Sequence, residues 1–572
     1  MIRQLDIDGV PTLLAPTAGP MRAGLTFRVG IADETLARSG ITHLLEHLAL
    51  APLGLTDHHF NGATTPTFTS FYTQGSEQDV VQFLAAVCRN LHDLPMSRLE
   101  VEKEILRTER SSRGVGPLDA LPLWRHGARD HGLTSYAELG LPALTEHDLR
   151  HWAARWFTRE NAVFWIAGNQ VPAGLRLALP PGVRQPLPRM SSALPHTPAY
   201  FVNGARAVVL DAVVRRRTAA GVFAGLLERE LFRSLRQEDG LSYTVTAGYQ
   251  PCGDRASLHA LADALPEKQD AVLGGFIDVL AKLRVGRIEQ ADLDATVARR
   301  EEILSEVEVH AARLPGLARD VLTGHPTSTV DELRAELKAV TPADLHQVAQ
   351  EVTATALLMV PEGNTADWAG FTAAPTASSH IIAGTEYRER EGDSVLHVGV
   401  EGVSQLVPGA VATVRYAECA ALLAWPDGAR RLIGYDGITV HIEPTLIDLH
   451  PAAVGVIDQQ VPADRRVPMP PRPPERIPQP YVGAGGHPSV GWPQQVTPPP
   501  AARSWWEIPL MVLSGLAALG VGGFTLLLTL AMLFPDEPDP DDGFLWGMVV
   551  AGWLLTVILA LPIVLLRRRR RR

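Results

Sequence analysis

His43-Leu44-Leu45-Glu46-His47 is the stretch on which the reading of this chain turns. Two histidines at i and i+4 stand one helical turn apart on a single face, so both imidazoles can reach one metal ion. Glu46 lies three residues after His43 on the same side, placed to take a proton from a water held there. Hydrolytic zinc sites use three protein ligands and keep a fourth position open. Candidates for the third ligand lie downstream in Val101-Glu102-Lys103-Glu104-Ile105-Leu106-Arg107-Thr108-Glu109. Glu102 and Glu109 are two helical turns apart, which puts both carboxylates on one helix face.

The flanks extend the pattern. Ser39-Gly40-Ile41-Thr42 leads into the motif, and Asn61-Gly62-Ala63-Thr64 follows it with Thr67, Thr69 and Tyr72. Leu235-Arg236-Gln237-Glu238-Asp239-Gly240-Leu241-Ser242-Tyr243 comes much later. With the paired glutamates, these segments resemble the insulinase, pitrilysin and mitochondrial-processing-peptidase family of inverted-motif zinc peptidases, over about residues 1–370. The resemblance implies that His43, His47 and Glu109 hold Zn2+, that Glu46 is the general base, and that Glu102 orients a ligand from behind. It also implies that Asn61 and its strand pair with substrate backbone. Arg236 and Tyr243 then hold the substrate carbonyl and its developing oxyanion. Two departures from the family stand out. The interval from His47 to Glu109 is short, and the deficit falls between His47 and Asn61, which predicts a missing surface helix. Gly62 stands where the family has alanine, which predicts a looser strand that keeps its backbone hydrogen bonds.

An internal repeat organises the first part of the chain. Leu144-Thr145-Glu146-His147-Asp148-Leu149 leads a helix into the apolar run Ala162-Val163-Phe164-Trp165-Ile166-Ala167. Val340-Thr341-Pro342-Ala343-Asp344-Leu345 does the same before Leu357-Leu358-Met359-Val360, and each copy has a threonine placed to cap its helix. Two duplicated α+β domains are therefore expected, at residues 1–185 and 198–370, joined by a proline-rich stretch. The resemblance implies helices packed on a mostly antiparallel sheet in each.

Residues 385–460 carry short β-rich runs such as Val395-Leu396-His397-Val398-Gly399-Val400 and Arg431-Leu432-Ile433-Gly434-Tyr435. Glu401-Gly402, Asp427-Gly428 and Asp436-Gly437 read as turns between them, and a helix follows near 452–460. This is similar to a pleckstrin-homology-type meander closed by a helix; a plain β-rich spacer is the alternative. A linker is expected at 461–503: from Pro462 to Pro500 there are 13 prolines in 39 residues. In polyproline geometry it reaches on the order of 100 Å.

Two apolar stretches, 508–534 and 544–566, are each long enough to cross a bilayer of ~30 Å. Trp505 and Trp506 precede the first. The connector holds Asp536, Glu537, Asp539, Asp541 and Asp542, and six arginines run from Arg567 to Arg572. Excess basic charge stays on the cytoplasmic side, so a two-span hairpin in the cell membrane is expected, with both the C-terminus and the zinc domains cytoplasmic. The start, Met1-Ile2-Arg3-Gln4-Leu5-Asp6, lacks the apolar run of a secretory signal, and only Cys88, Cys252 and Cys419 are present. A net charge of −11 argues against a nucleic-acid partner.

The expected function is a membrane-tethered zinc endopeptidase acting on peptides or unfolded segments. The alternatives are a catalytically inactive peptide-binding subunit of the same fold and a membrane scaffold. The family's chambers use four domains where this chain supplies two, so a homodimer is expected. His58 and His59 are read as solvated loop residues, and His126 and His131 as surface residues.

Overall fold

A computed structural model describes residues 2–51, 59–112, 114 and 116–480. In the first domain β1 (Arg3–Ile7), β2 (Val10–Ala15), β3 (Met21–Phe27), β4 (His59–Thr64), β5 (Thr69–Gly75) and β6 (Ala162–Ala167) form one sheet. Its order is β1-β2-β6-β3-β5-β4, antiparallel except where β2 runs parallel to β6. The helices are α1 (Ile41–Leu50), α2 (Glu77–His92), α3 (Leu99–Ser112), α4 (Leu121–His126) and α5 (Glu146–Trp156).

The second domain repeats this plan. It contains β7 (Ala199–Asn203), β8 (Ala207–Arg215), β9 (Val245–Cys252), β10 (Arg255–Asp263), β11 (Leu357–Pro361) and β12 (Thr372–Ala373), in the order β12-β7-β11-β8-β10-β9. Its helices are α6 (Thr218–Leu231), α7 (Gln269–Arg284), α8 (Gln290–Leu304), α9 (Val309–Thr323), α10 (Val330–Ala339) and α11 (Pro342–Thr355). Thr145 and Thr341 are the N-caps of α5 and α11, each accepting the amide of the aspartate three residues on. A cap of this kind is worth ~1 kcal/mol.

Strand alternation explains why the two domains interlock. On β6, Phe164 and Ile166 face the domain's own helices, while Val163 and Ala167 face the opposite way. That second face is covered by α9 of the other domain, through Leu314, Leu317 and Ala318. The exchange is reciprocal. Leu121 of α4 packs with Val209 and Met359 on the outer face of the second sheet, and Trp124 stacks on Phe201 at 4.6 Å. Arg125 pins the same seam: its Nε donates to the Asp211 carboxylate, and its Nη2 donates to the carbonyls of Asp211 (2.7 Å) and Thr355 (3.0 Å).

The third module begins with the meander β13 (Thr385–Arg388), β14 (Val395–Val398), β15 (Gly402–Val407) and β16 (Ala410–Arg415). A second sheet holds β17 (Cys419–Ala424), β18 (Arg430–Gly434), β19 (Thr439–Ile442) and β20 (Arg466–Pro468), ordered β19-β18-β17-β20. The helix α12 (Pro451–Gln460) seats Ile457 among Leu396, Leu422 and Val440, residues of both sheets. Gly428 and Gly437 take positive φ at their turns, but Gly402 lies inside β15 without one, so Glu401-Gly402 is no αL turn.

The linker expected from 461 is corrected here. Val461 and Val467 are fully buried, and β20 adds parallel to β17. Arg472 reaches both Asp427 and Glu443 at 2.8 Å. An edge strand needs only one side of its hydrogen bonds, so it tolerates the flanking prolines that make this segment read as unstructured. Among the described residues no helix is long and apolar enough to cross a membrane. The two apolar stretches, their acidic connector, the arginine tail and the linker beyond residue 480 lie outside the described residues. So do most of the residues between His47 and Asn61 where a helix was expected to be missing.

Candidate metal centre

The helix α1 is held at its N-terminus by an acid that the motif does not contain. The Glu34 carboxylate accepts the amides of Gly40 and Thr42, both at 2.9 Å. Burial pushes this carboxyl up to about 7 despite the two amides that favour its charged form. Leu44, Leu45 and Leu48 turn into the core, which leaves His43 and His47 on the other face with ring centroids 4.9 Å apart.

Glu109 completes a cluster. Its Oε2 lies 3.7 Å from His43 Nε2 and 3.6 Å from His47 Nε2. One donor atom from each of the three lies within 4.8 Å of the others, the only such group of three or more metal-ligating side chains found among the described residues. Each imidazole is fixed from behind by a carboxylate. Glu138 Oε1 is 2.7 Å from His43 Nδ1, and Glu102 Oε2 is 3.3 Å from His47 Nδ1. A carboxylate accepts, so each Nδ1 carries the proton and each Nε2 presents its lone pair to the cluster. Glu102 is 3% exposed, and Arg98 holds its other oxygen from Nε (2.9 Å) and Nη2 (2.7 Å). Two imidazole nitrogens and a carboxylate oxygen are a donor set that suits zinc.

Glu46 stands beside the cluster without joining it. Thr64 Oγ1 donates to its Oε2 at 2.6 Å. Burial raises the pKa of its carboxyl; the Thr64 bond and the two imidazoles pull the other way, and Glu109 adds to the rise. For His43, burial disfavours the cation, but the Glu138 hydrogen bond and the charges of Glu138, Glu46 and Glu109 outweigh it and raise the pKa. Gly62 has a cause the sequence reading missed. A Cβ at this position would run into the Glu46 carboxylate. The glycine makes room for that side chain, and the strand keeps its full register against β5.

Asn61 lies on β4, which among the described residues pairs only with β5 and so forms a sheet edge next to Glu46. Its side-chain oxygen accepts the Gly62 amide at 2.9 Å. Among the described contacts, none joins Arg236 or Tyr243 to the cluster. Arg236 sits on a π-helical turn, Phe232–Glu238, that continues α6, with its guanidinium 5.0 Å from the Phe232 ring and 4.8 Å from the Tyr243 ring. Tyr243 is 77% exposed, and Asp263 accepts the amides of Tyr243 and Thr244 to fix the turn that carries it.

Three further histidine readings are corrected. His126 and His131 are buried, not surface residues, with rings 5.5 Å apart. His126 Nδ1 donates to the Ser191 carbonyl, and burial pushes His131 down to about 4. Both lie where α4 and the irregular segment after it are covered from several sides. His59 is exposed as expected but begins β4 instead of lying in a loop, and His58 is outside the described residues. The residues that sequence reasoning missed are Glu34, Arg98 and Glu138. Arg98 alone carried a signal, its i, i+4 spacing from Glu102.

The fold is that of peptidases of the M16 type. A protease from Helicobacter pylori superposes with a TM-score of 0.55 at 16% identity, covering 63% of this chain and 99% of that one. The first half of the periplasmic protease PqqL from Escherichia coli gives 0.53 at 14% identity over 65% and 94% of the two chains. An M16 inactive domain from Pseudomonas fluorescens gives 0.51 at 16% identity, over 63% and 97%. In sequence, the chain is 23% identical over 411 residues to an uncharacterised zinc protease of Streptomyces coelicolor, covering 61% of this chain and 87% of the relative. An uncharacterised zinc protease of Mycobacterium bovis is 22% identical over 386 residues, covering 60% and 88%. No family model matches the chain.

Proposed function

We propose that this chain is a zinc-dependent endopeptidase, tethered to the cell membrane, that hydrolyses peptides or unfolded segments. The observation that carries the reading is the convergence of His43 Nε2, His47 Nε2 and Glu109 Oε2 with each Nδ1 tied back to a carboxylate. These three side chains would hold the ion. Zinc bound there supplies Lewis acidity, making water a stronger nucleophile near neutral pH and polarising a peptide carbonyl. Glu46, raised by burial, takes the proton of the attacking water and returns it to the departing amine. Glu102 and Glu138 hold the imidazole rings, and Thr64 holds Glu46. The open edge of β4 offers backbone hydrogen bonds to an extended peptide, so binding depends little on side chains. The purified chain should contain about one zinc and cleave unstructured peptides, with chelation ending the cleavage. A zinc-loaded chain that cleaves nothing across a broad peptide library would favour the inactive peptide-binding subunit instead.

Gly62→Ala should disturb the Glu46 carboxylate without touching a ligand. The expected result is unchanged zinc content and a kcat lower by up to ~10²-fold; a rate equal to wild type would remove this role for Gly62.

Partner and location follow from the same reading. No described contact ties the exposed Arg236 and Tyr243 to their own chain's cluster, and in a two-fold homodimer they would serve the zinc domain of the second copy. Mixing His47→Ala chains with Arg236→Ala chains should regain activity, since one composite site is then intact. Mixed dimers that stay inactive refute the shared site. The membrane hairpin would put the zinc domains and the arginine tail in the cytoplasm. Reporter fusions after Arg572 and within the acidic connector are expected to give opposite signals, and the same signal from both contradicts the hairpin. The β-rich module keeps its pleckstrin-homology-type reading as part of this proposal.

A further inference from the structure

We infer that the C-terminal β-rich module is a positioning element for the metal-binding histidine His43, acting through Glu138. The inference rests on the zinc reading above and concerns a part of the chain that carries none of the ligands.

Glu138 belongs to a segment with almost no regular support of its own. Between α4 and α5 the chain makes only 3-10 turns, Asp130–Ser135 and Leu141–Ala143. No ladder of backbone bonds fixes such a segment, so packing decides its conformation. One side of it faces the cluster, where Glu138 meets His43 Nδ1. Leu133, Tyr136 and Leu139 of the same segment enter an apolar cluster with Ala421, Leu423 and Ile433 of the module. Its backbone is also tied: the Ala128 amide donates to the Tyr435 carbonyl at 3.0 Å. Gly127, at φ +75°, leaves no space for a Cβ against that carbonyl. The Tyr435 ring lies 5.4 Å from the Arg129 guanidinium and 5.3 Å from that of Arg465.

The module touches the second support of the site as well. β17 lies on the turn Leu36–Arg38, and β20 lies on Leu141–Ala143. The first of these turns follows Glu34, which caps the N-terminus of α1. The two loops are locked to each other, since the Gly140 amide donates to Ser39 Oγ at 3.2 Å. A Cβ on Gly40 would collide with the Glu138 side chain, so the helix start and the stem of that side chain are packed closely. One face of the module therefore closes over both loops that hold the histidine helix.

The test is zinc affinity of the full chain, measured by competition with a chromogenic chelator. Glu138→Gln should weaken zinc ~10–100-fold, as loss of a histidine's carboxylate partner does. Tyr435→Ala should weaken it ~3–10-fold, and should add nothing further when Glu138→Gln is already present, because both act on one ring. Val400→Ser, at a site 82% exposed elsewhere on the module, should leave affinity unchanged. Amide exchange on the unaltered chain gives a readout that needs no variant: zinc should slow exchange in 130–139 and also in β17 and β18, since the coupling is reciprocal. Wild-type affinity in a folded Tyr435→Ala chain overturns the inference, as does zinc protection of 41–50 that leaves β17 and β18 unaffected. An equal loss in Val400→Ser overturns it too, by showing general destabilisation. If the wild-type chain binds no zinc, the parent reading falls and this one with it; if it binds zinc through His47 while the module variants are silent, only this one falls.

Discussion

Glu46→Gln is expected to retain its zinc and to lose ~10²–10⁴-fold in peptide hydrolysis. The substitution keeps the shape of the side chain and an oxygen that can accept from Thr64 Oγ1, now 2.6 Å from the carboxylate. It removes the one property the reaction asks of this position, a carboxylate able to take and return a proton. Glu46 is not a member of the three-residue cluster, so metal content should not change. Metal analysis and turnover of an internally quenched peptide on the same preparation check both halves. Turnover at wild-type speed would falsify the assignment of Glu46 as base.

His47→Ala should take zinc content from about one per chain to background. The change leaves two donors, His43 and Glu109, where a stable site needs three or more. It also strands Glu102, whose Oε2 faces His47 while Arg98 holds its other oxygen. The fold should survive, because His47 lies on the face of α1 opposite its buried leucines. Circular dichroism of the variant and metal analysis together settle the matter. A folded variant with full zinc content removes the centre as drawn.

What was legible in the sequence depended on periodicity. His43 and His47 announce themselves by i, i+4 spacing, and Glu102 and Glu109 by their shared helix face. Thr145 and Thr341 mark helix starts because capping is a local interaction, satisfied within three residues. Glu138 gives no such sign. Its partner is 95 residues away, and it sits between 3-10 turns that follow no repeat. Glu34 is hidden too: its partners, the Gly40 and Thr42 amides, are near in sequence, but it sits between 3-10 turns that follow no repeat. The room that Gly62 makes was not legible, because its cause is a side chain reaching across from another element. The segment 461–480 was misread because composition reports proline content and cannot report that a neighbouring strand has an unpaired edge.

The reciprocal covering of the two sheets bears on how a polypeptide gets in. Arg125 is buried at the seam and satisfied by Asp211 and Thr355, and breaking such a buried pair typically costs ~3–5 kcal/mol. With α9 and α4 each filling the other domain's outer face, opening the seam would expose both faces, so the two halves of one chain are expected to travel together. Should two chains share their sites as proposed, the gate to the chamber is the contact between copies. Its opening would then depend on protein concentration, and a free chain would be permanently open and idle.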